Sequence, residues 1–216
     1  MNQHDLPLRV GIIPVTALQQ NCTVVWCTRT MEAVIVDPGG EVERIEEAIA
    51  QAGVKPVGIV LTHGHFDHAG GAQDLRERLG VEISGPHRDD EWLLQSLART
   101  AREYGIGEAR DTYPDRWLEE GDKVSVGKVD FEVLHCPGHT PGHIVLVARD
   151  VGFGVFGDVL FRGSIGRSDF PRGDHAALIR SIKTKLFPLG DEFAFVCGHG
   201  PGSTIGEERR SNPFLV

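Results

Sequence analysis

What this chain has little of narrows its role before any motif is read. No apolar run approaches the roughly 18 residues needed to span a bilayer, and Met1-Asn2-Gln3-His4-Asp5 lacks the basic start and apolar segment of a secretory leader. No membrane span and a cytoplasmic location are therefore expected. Basic residues are in deficit: 22 Lys and Arg stand against 31 Asp and Glu, a formal charge of −9. Nucleic acid and anionic membrane both reward Lys and Arg clusters, so neither is expected as a partner. Bound divalent cations would offset part of that charge. Cysteine is sparse, and Cys22, Cys27, Cys136 and Cys197 form no C-x-x-C pair, which excludes a zinc knuckle or a thioredoxin-like site. They read as reduced, small apolar side chains. Fixed-period repeats and low-complexity tracts are missing, so solenoids and disordered arms are set aside. With 216 residues, 40% of them hydrophobic, residues 1–216 are expected to form one domain.

Short runs rich in β-branched residues predict strands at Leu8–Pro14, Thr23–Cys27, Ala33–Asp37 and Val57–Leu61. Val42–Ala52 instead places Val42, Ile45, Ile49 and Ala52 on one helical face, with Glu43, Glu46 and Glu47 opposite. The helical pattern returns at Gly71–Leu79 and at Asp89–Tyr104, the latter opening on acidic residues that suit a helix N-terminus. The second half predicts strands at Val124–Val126, Phe131–Leu134, Ile144–Ala148 and Gly154–Phe156, a helix at Ala176–Leu186, and a last strand at Phe193–Cys197. This is a mixed α/β chain. Two sheets, each faced by helices, would bury both sets of apolar faces in a four-layer αβ/βα arrangement.

The buried strand Val57-Gly58-Ile59-Val60-Leu61 runs straight into Thr62-His63-Gly64-His65-Phe66-Asp67-His68. One short loop thus presents three imidazoles and a carboxylate, ligand types that suit Zn²⁺, Fe²⁺ or Mn²⁺. A catalytic site needs about three protein ligands per metal with a position left for water, so four donors here are too many for one open site. Two neighbouring metals are indicated, His63 and His65 serving one, Asp67 and His68 the other. Further donors follow apolar strands downstream: His139 in Cys136-Pro137-Gly138-His139-Thr140-Pro141-Gly142-His143, Asp158 in Phe156-Gly157-Asp158, and His199 in Cys197-Gly198-His199-Gly200. So many imidazoles and carboxylates in one cleft would carry a large desolvation cost without a cation.

These motifs together resemble the metallo-β-lactamase superfamily over nearly the whole chain. Within it, Gly157-Asp158-Val159-Leu160-Phe161-Arg162-Gly163-Ser164-Ile165-Gly166-Arg167-Ser168-Asp169-Phe170-Pro171 and the Ser203–Phe214 ending resemble the glyoxalase II (hydroxyacylglutathione hydrolase) group, especially its short YcbL-like branch. The resemblance implies a four-layer αβ/βα sandwich with two divalent metals at one edge, Zn²⁺ first and Fe²⁺ or Mn²⁺ as alternatives. His63, His65 and His139 would hold one, Asp67, His68 and His199 the other, with Asp158 bridging, so that Asp67 and Asp158 serve catalysis directly. The expected reaction is hydrolysis of a small-molecule thioester, S-D-lactoylglutathione to D-lactate and glutathione, by hydroxide generated at the metals.

Around this set, His135 and His143 flank His139 and are expected in supporting or structural roles, His143 either orienting a ligand or lining the entrance where substrate passes. Arg162 and Arg167 could pair with substrate carboxylates through their guanidinium forks. Asp37 could buttress the metal loop or simply make a turn. His4, His87 and His175 sit in polar segments and are expected at the surface or as caps. Larger glyoxalase II proteins bind glutathione through a helical C-terminal region with tyrosine and basic contacts, whereas Tyr104 and Tyr113 lie far along the sequence from every motif. The competing reading is a persulfide dioxygenase with one Fe²⁺ on His63, His139 and Asp158. A non-catalytic metal-binding scaffold is a third, while β-lactam hydrolysis is not expected in a chain without an export signal. Oligomeric state is left open.

Overall fold

A computed structural model describes residues 6–106 and 109–216. His4 and the reading of residues 1–5 lie outside the described residues. The first half contains β1 (Leu8–Val15), β2 (Gln20–Cys27), β3 (Glu32–Val36), α1 (Val42–Ala52), β4 (Lys55–Val60), α2 (Phe66–Ala69), α3 (Ala72–Leu79), β5 (Ile83–Ser84), α4 (Glu91–Leu94) and α5 (Leu97–Glu103). The second contains β6 (Lys123–Val126), β7 (Val129–His135), β8 (Ile144–Ala148), β9 (Phe153–Val155), β10 (Leu160–Phe161), β11 (Ser164–Ile165), α6 (His175–Ser181), β12 (Ala194–Val196), β13 (Ser203–Thr204) and α7 (Ile205–Ser211).

One sheet has the order β1-β2-β3-β4-β5 and the other β13-β12-β9-β8-β7-β6, with β10 and β11 pairing as a small ribbon. Strand periodicity explains how they stack, because successive side chains point to opposite faces. In β3, Ala33 and Ile35 pack with α1, α3 and α5, while Val34 and Val36 face the other sheet. In β8, Val145 and Val147 pack with α6, while Ile144, Leu146 and Ala148 face the first sheet. Both faces of the central strands are covered, which is why they read as unbroken apolar runs rather than alternating ones. The result is helix, sheet, sheet, helix, the expected αβ/βα sandwich with its three cores.

Three expectations need correction. Asp89–Tyr104 is not one helix: a 3₁₀ turn over Arg88–Asp90 precedes α4, and α5 begins only at Leu97. Ser96 causes the break by donating its hydroxyl to the carbonyls of Trp92 and Leu93, at 3.0 and 3.1 Å. Asp67 and His68 lie not on a loop but on the helical turn α2. Phe193–Cys197 is not the last strand, since β13 follows and leads into α7. Thr204 caps that helix by accepting from Glu207 N, and the Thr-x-x-Glu spacing is a signal the sequence carried.

Candidate metal centre

Strand direction gathers the donors. β3 and β4 run parallel, as do β9 and β12, and β7 shares the direction of β9 because each pairs antiparallel with β8. His63, His139, Asp158 and His199 follow the C-terminal ends of β4, β7, β9 and β12, so both sheets deliver them to one edge. Antiparallel β2 brings its N-terminal residues, Gln20 and Asn21, to the same edge.

The donors separate into two groups. His65 Nδ1 lies 3.1 Å from His63 Nε2 and 2.9 Å from His139 Nε2. His199 Nε2 lies 3.3 Å from Asp67 Oδ2, and His68 Nε2 lies 3.8 Å from that oxygen. Asp158 stands between the groups, with one oxygen 3.6 Å from His139 Nε2 and 3.7 Å from His199 Nε2, and the other 3.4 Å from His68 Nε2. All seven predicted donors therefore meet in one place. His63 and His68 are wholly buried, while His65 and His199 form the more open edge.

Four of the five rings are oriented from behind. His139 Nδ1 donates to the Arg167 carbonyl at 2.7 Å, His199 Nδ1 to the Leu18 carbonyl at 3.2 Å, and His68 Nδ1 to Asp37 Oδ2 at 2.9 Å. Thr62 Oγ1 donates to Asp37 Oδ2 at 2.6 Å and so can accept from His63 Nδ1 at 3.0 Å. These contacts place a proton on Nδ1 and leave Nε2 with its lone pair aimed inward, as metal ligation requires. Asp37 is thus a buttress, held at φ 54° in the left-handed region that Asp tolerates.

The donor set fits divalent cations. His68 Nε2 and Asp158 Oδ1 are buried and have no hydrogen-bond partner among the described residues, an expensive arrangement unless an ion receives both. His65 Nδ1 lies within hydrogen-bond distance of both other imidazole nitrogens, and one proton on it cannot bond both well. A Cβ at Gly198 would overlap the Asp158 carboxylate, so glycine there leaves space for the donors. Burial, reinforced by its imidazole neighbours, holds His63 well below the usual range and lowers His65 to about 3. Burial also opposes charge on His68, but Asp158 and Asp67 outweigh it and hold that ring above its usual range. The reverse applies to Asp158, where burial is outweighed by His68 and His139 and the carboxyl is held well below its ordinary range.

The model of the metallo-β-lactamase superfamily matches residues 15–199. The chain belongs to the metallo-β-lactamase superfamily. It is 47% identical over 209 residues to hydroxyacylglutathione hydrolase GloC of Haemophilus influenzae, covering 96% of this chain and 98% of that one. Among solved structures it is similar to BLEG-1 B3 metallo-β-lactamase, with TM-score 0.88, 34% identity and coverage of 96% and 99%. It is also similar to TTHA1623 in a di-iron-bound form, with TM-score 0.85, 40% identity and coverage of 94% and 100%.

Around the superfamily centre, several expectations change. His143 does not line an entrance: it is wholly buried, stacks on His63 at 4.6 Å, and accepts from the Asp158 N–H at 3.0 Å. Arg167 is not a free fork, because Asp169 holds it at 2.9 and 2.8 Å and its guanidinium lies 4.3 Å over the Phe170 ring. Phe170 in turn packs on His65 at 5.0 Å and His139 at 5.7 Å. Arg162 is exposed, without an ionic partner among the described residues. Tyr104, distant in sequence, stands 5.4 Å from Phe66, beside the metal-binding segment. His175 sits near the Ser168 hydroxyl at the surface.

Two supports went unread in the sequence. Asn21 donates its amide to the carbonyls of Cys197 and Gly200, at 3.0 and 2.8 Å, tying down the His199 segment. Asp90 accepts from Gly64 N, Thr140 Oγ1 and Gly142 N, and burial, opposed by those bonds, raises it to about 6. His87, Asp89 and His135 also come together. There, however, His87 Nδ1 caps the Arg88–Asp90 turn, His135 Nε2 donates to the Pro141 carbonyl at 2.8 Å, and the rings stack at 4.2 Å. Parallel rings direct their lone pairs side by side rather than toward a shared ion.

Proposed function

We propose that this protein is a metal-dependent hydrolase that cleaves a small-molecule thioester, S-D-lactoylglutathione first, to D-lactate and glutathione. The observation that carries this reading is the pair of donor groups with Asp158 between them, in a chain 47% identical along nearly its full length to a hydroxyacylglutathione hydrolase. His63, His65 and His139 would hold one divalent ion, Asp67, His68 and His199 the second, and Asp158 would touch both. Zn²⁺ is the first expectation, with Fe²⁺ or Mn²⁺ compatible with the same imidazoles and carboxylates. Bound there, such ions acidify water near neutral pH and draw charge from a carbonyl.

The remaining work falls to the chain itself. Asp158 and Asp67 supply fixed negative charge between the imidazoles and hold the donors in register. His143 fixes Asp158 through its backbone N–H. Phe170, edge-on to His65 and His139, makes an apolar wall beside the first group that limits water on that side. Exposed Arg162 supplies positive charge and Tyr104 an aromatic ring, a surface suited to an anionic thiol carrier. Cys197 and Cys136 are poor nucleophiles, since burial pushes each thiol up to about 12. Water is therefore the attacking group.

The test uses purified protein loaded separately with Zn²⁺, Fe²⁺ or Mn²⁺ and offered lactoylglutathione, glutathione persulfide or a β-lactam. Thiol release, oxygen uptake and ring opening are recorded for each. Thiol release from the thioester is expected. Oxygen consumption without thioester cleavage would move the protein to the persulfide dioxygenase reading, and ring opening alone would make it a lactamase.

A further inference from the structure

We propose that Asp90 is the positioning residue that sets the geometry of the first donor group, His63, His65 and His139, rather than that of the second. Asp90 is wholly buried, at the end of the turn that leads into α4. Its Oδ2 accepts from Gly64 N at 2.9 Å and from Thr140 Oγ1 at 2.7 Å, and its Oδ1 accepts from Gly142 N at 2.6 Å. Gly64 lies between His63 and His65, and Thr140 follows His139. One carboxylate thus joins the two chain segments, one from each sheet, that deliver the three imidazoles of the first group. Its three donors flank His63, His65 and His139 directly, whereas Asp67 and His68 lie further along on α2 and Asp158 and His199 on other segments.

The packing is equally specific. A Cβ on Gly64 would stand 2.6 Å from Leu93 Cβ, and one on Gly142 would stand 2.6 Å from Asp90 N. Both segments therefore rest directly on the Asp90 turn with no side chain between. All three partners are donors, which a carboxylate satisfies and a carboxamide does not: the NH₂ of asparagine must face an N–H or displace the Thr140 proton. Because charge-assisted bonds in a dry interior fix position closely, losing one would let the His63–His65 segment move relative to His139.

This inference rests on the two-ion reading above, and its test separates the two. Metal-stripped protein is titrated with Zn²⁺ against a chromogenic chelator, with His65→Ala and His199→Ala marking which affinity belongs to which group. In Asp90→Asn the first-group affinity should fall about 10- to 100-fold, the usual effect of losing a group that orients a ligand, while the second stays at its wild-type value. Thr140→Val, which removes a single donor, should show a smaller fall in the same affinity. Equal weakening of both groups would show a general loss of stability and overturn the proposal, as would no change in either. Should Asp90→Asn fail to fold by circular dichroism, Thr140→Val decides alone, and wild-type first-group affinity in that variant overturns it. A wild-type protein that takes up one equivalent fails the two-ion reading separately, and Asp90 then stands or falls on whether that ion's affinity drops in Asp90→Asn.

Discussion

Replacing Asp37 by Asn is nearly isosteric but converts one carboxylate oxygen into a donor, at a site where every partner is a donor too. Asp37 is 2% exposed. Its Oδ1 accepts from Thr62 N at 2.7 Å, and its Oδ2 accepts from Thr62 Oγ1 at 2.6 Å and His68 Nδ1 at 2.9 Å. If the new NH₂ takes the Oδ2 side, His68 Nδ1 must accept, and the ring proton moves to Nε2, the atom facing Asp67 and Asp158. That tautomer cannot ligate. In the opposite orientation the NH₂ meets the Thr62 N–H and strands a donor at the end of β4. Bonds to a charged acceptor contribute about 1.5–3 kcal/mol each, so the metal-free protein should lose on the order of 2–4 kcal/mol. Urea unfolding should show this as a lower midpoint with an unchanged slope. The second ion should bind about 10- to 100-fold more weakly, equivalent to about 1.4–2.8 kcal/mol. Chelator competition measures that loss, and ¹⁵N chemical shifts of His68 report its tautomer. A variant that keeps the His68 proton on Nδ1 and binds the second ion normally would refute the reasoning.

Asp158→Ala should lower the content of both ions together, since its oxygens face both groups; full metal content by elemental analysis would contradict the bridging role. Acid should destabilise the metal-free protein below about pH 6.5, where the unfolded chain binds protons that buried His63, His65 and His143 refuse. For His65 alone the loss is about 1.4 kcal/mol per pH unit toward its folded value of about 3. His68 and His199, raised in the fold, act oppositely: their stabilisation is full below about 6.5 and is lost as pH rises through their folded values. Urea midpoints recorded between pH 7 and 4 should therefore fall, and a flat profile would count against buried neutral imidazoles. Glu208→Ala should cost about 1–3 kcal/mol by stranding Gly163 N, Ser203 Oγ and the Asn212 amide, which it accepts at 2.8, 2.5 and 2.8 Å. Metal uptake should be unchanged in that variant, because Glu208 makes no bond to any of the seven donors.

The sequence by itself determined the donor chemistry. The His63–His68 run, with His139, Asp158 and His199 each following an apolar strand, could be read directly because ligation demands particular side chains at particular strand ends. The mixed α/β character was equally legible in the continuous apolar strands and the helical stripe of α1, whereas the four-layer order rested on the family resemblance. What the sequence could not reveal were relations between residues far apart along the chain. Asp90 read as an acidic helix start, yet its carboxylate turns inward to Gly64, Thr140 and Gly142. Asp37 read equally well as a turn residue until β3 and β4 were laid parallel and brought it to Thr62 and His68. His143 read as a supporting group that either orients a ligand or lines the entrance, and only its burial against His63 decided between them, whereas Tyr104, remote in sequence, is carried to Phe66 by α5. The physical reason is common to all four: a side chain's type is local, but its partners are set by strand order and layer packing. Tertiary structure alone therefore decided which polar groups stand behind the donors and which stand at the rim.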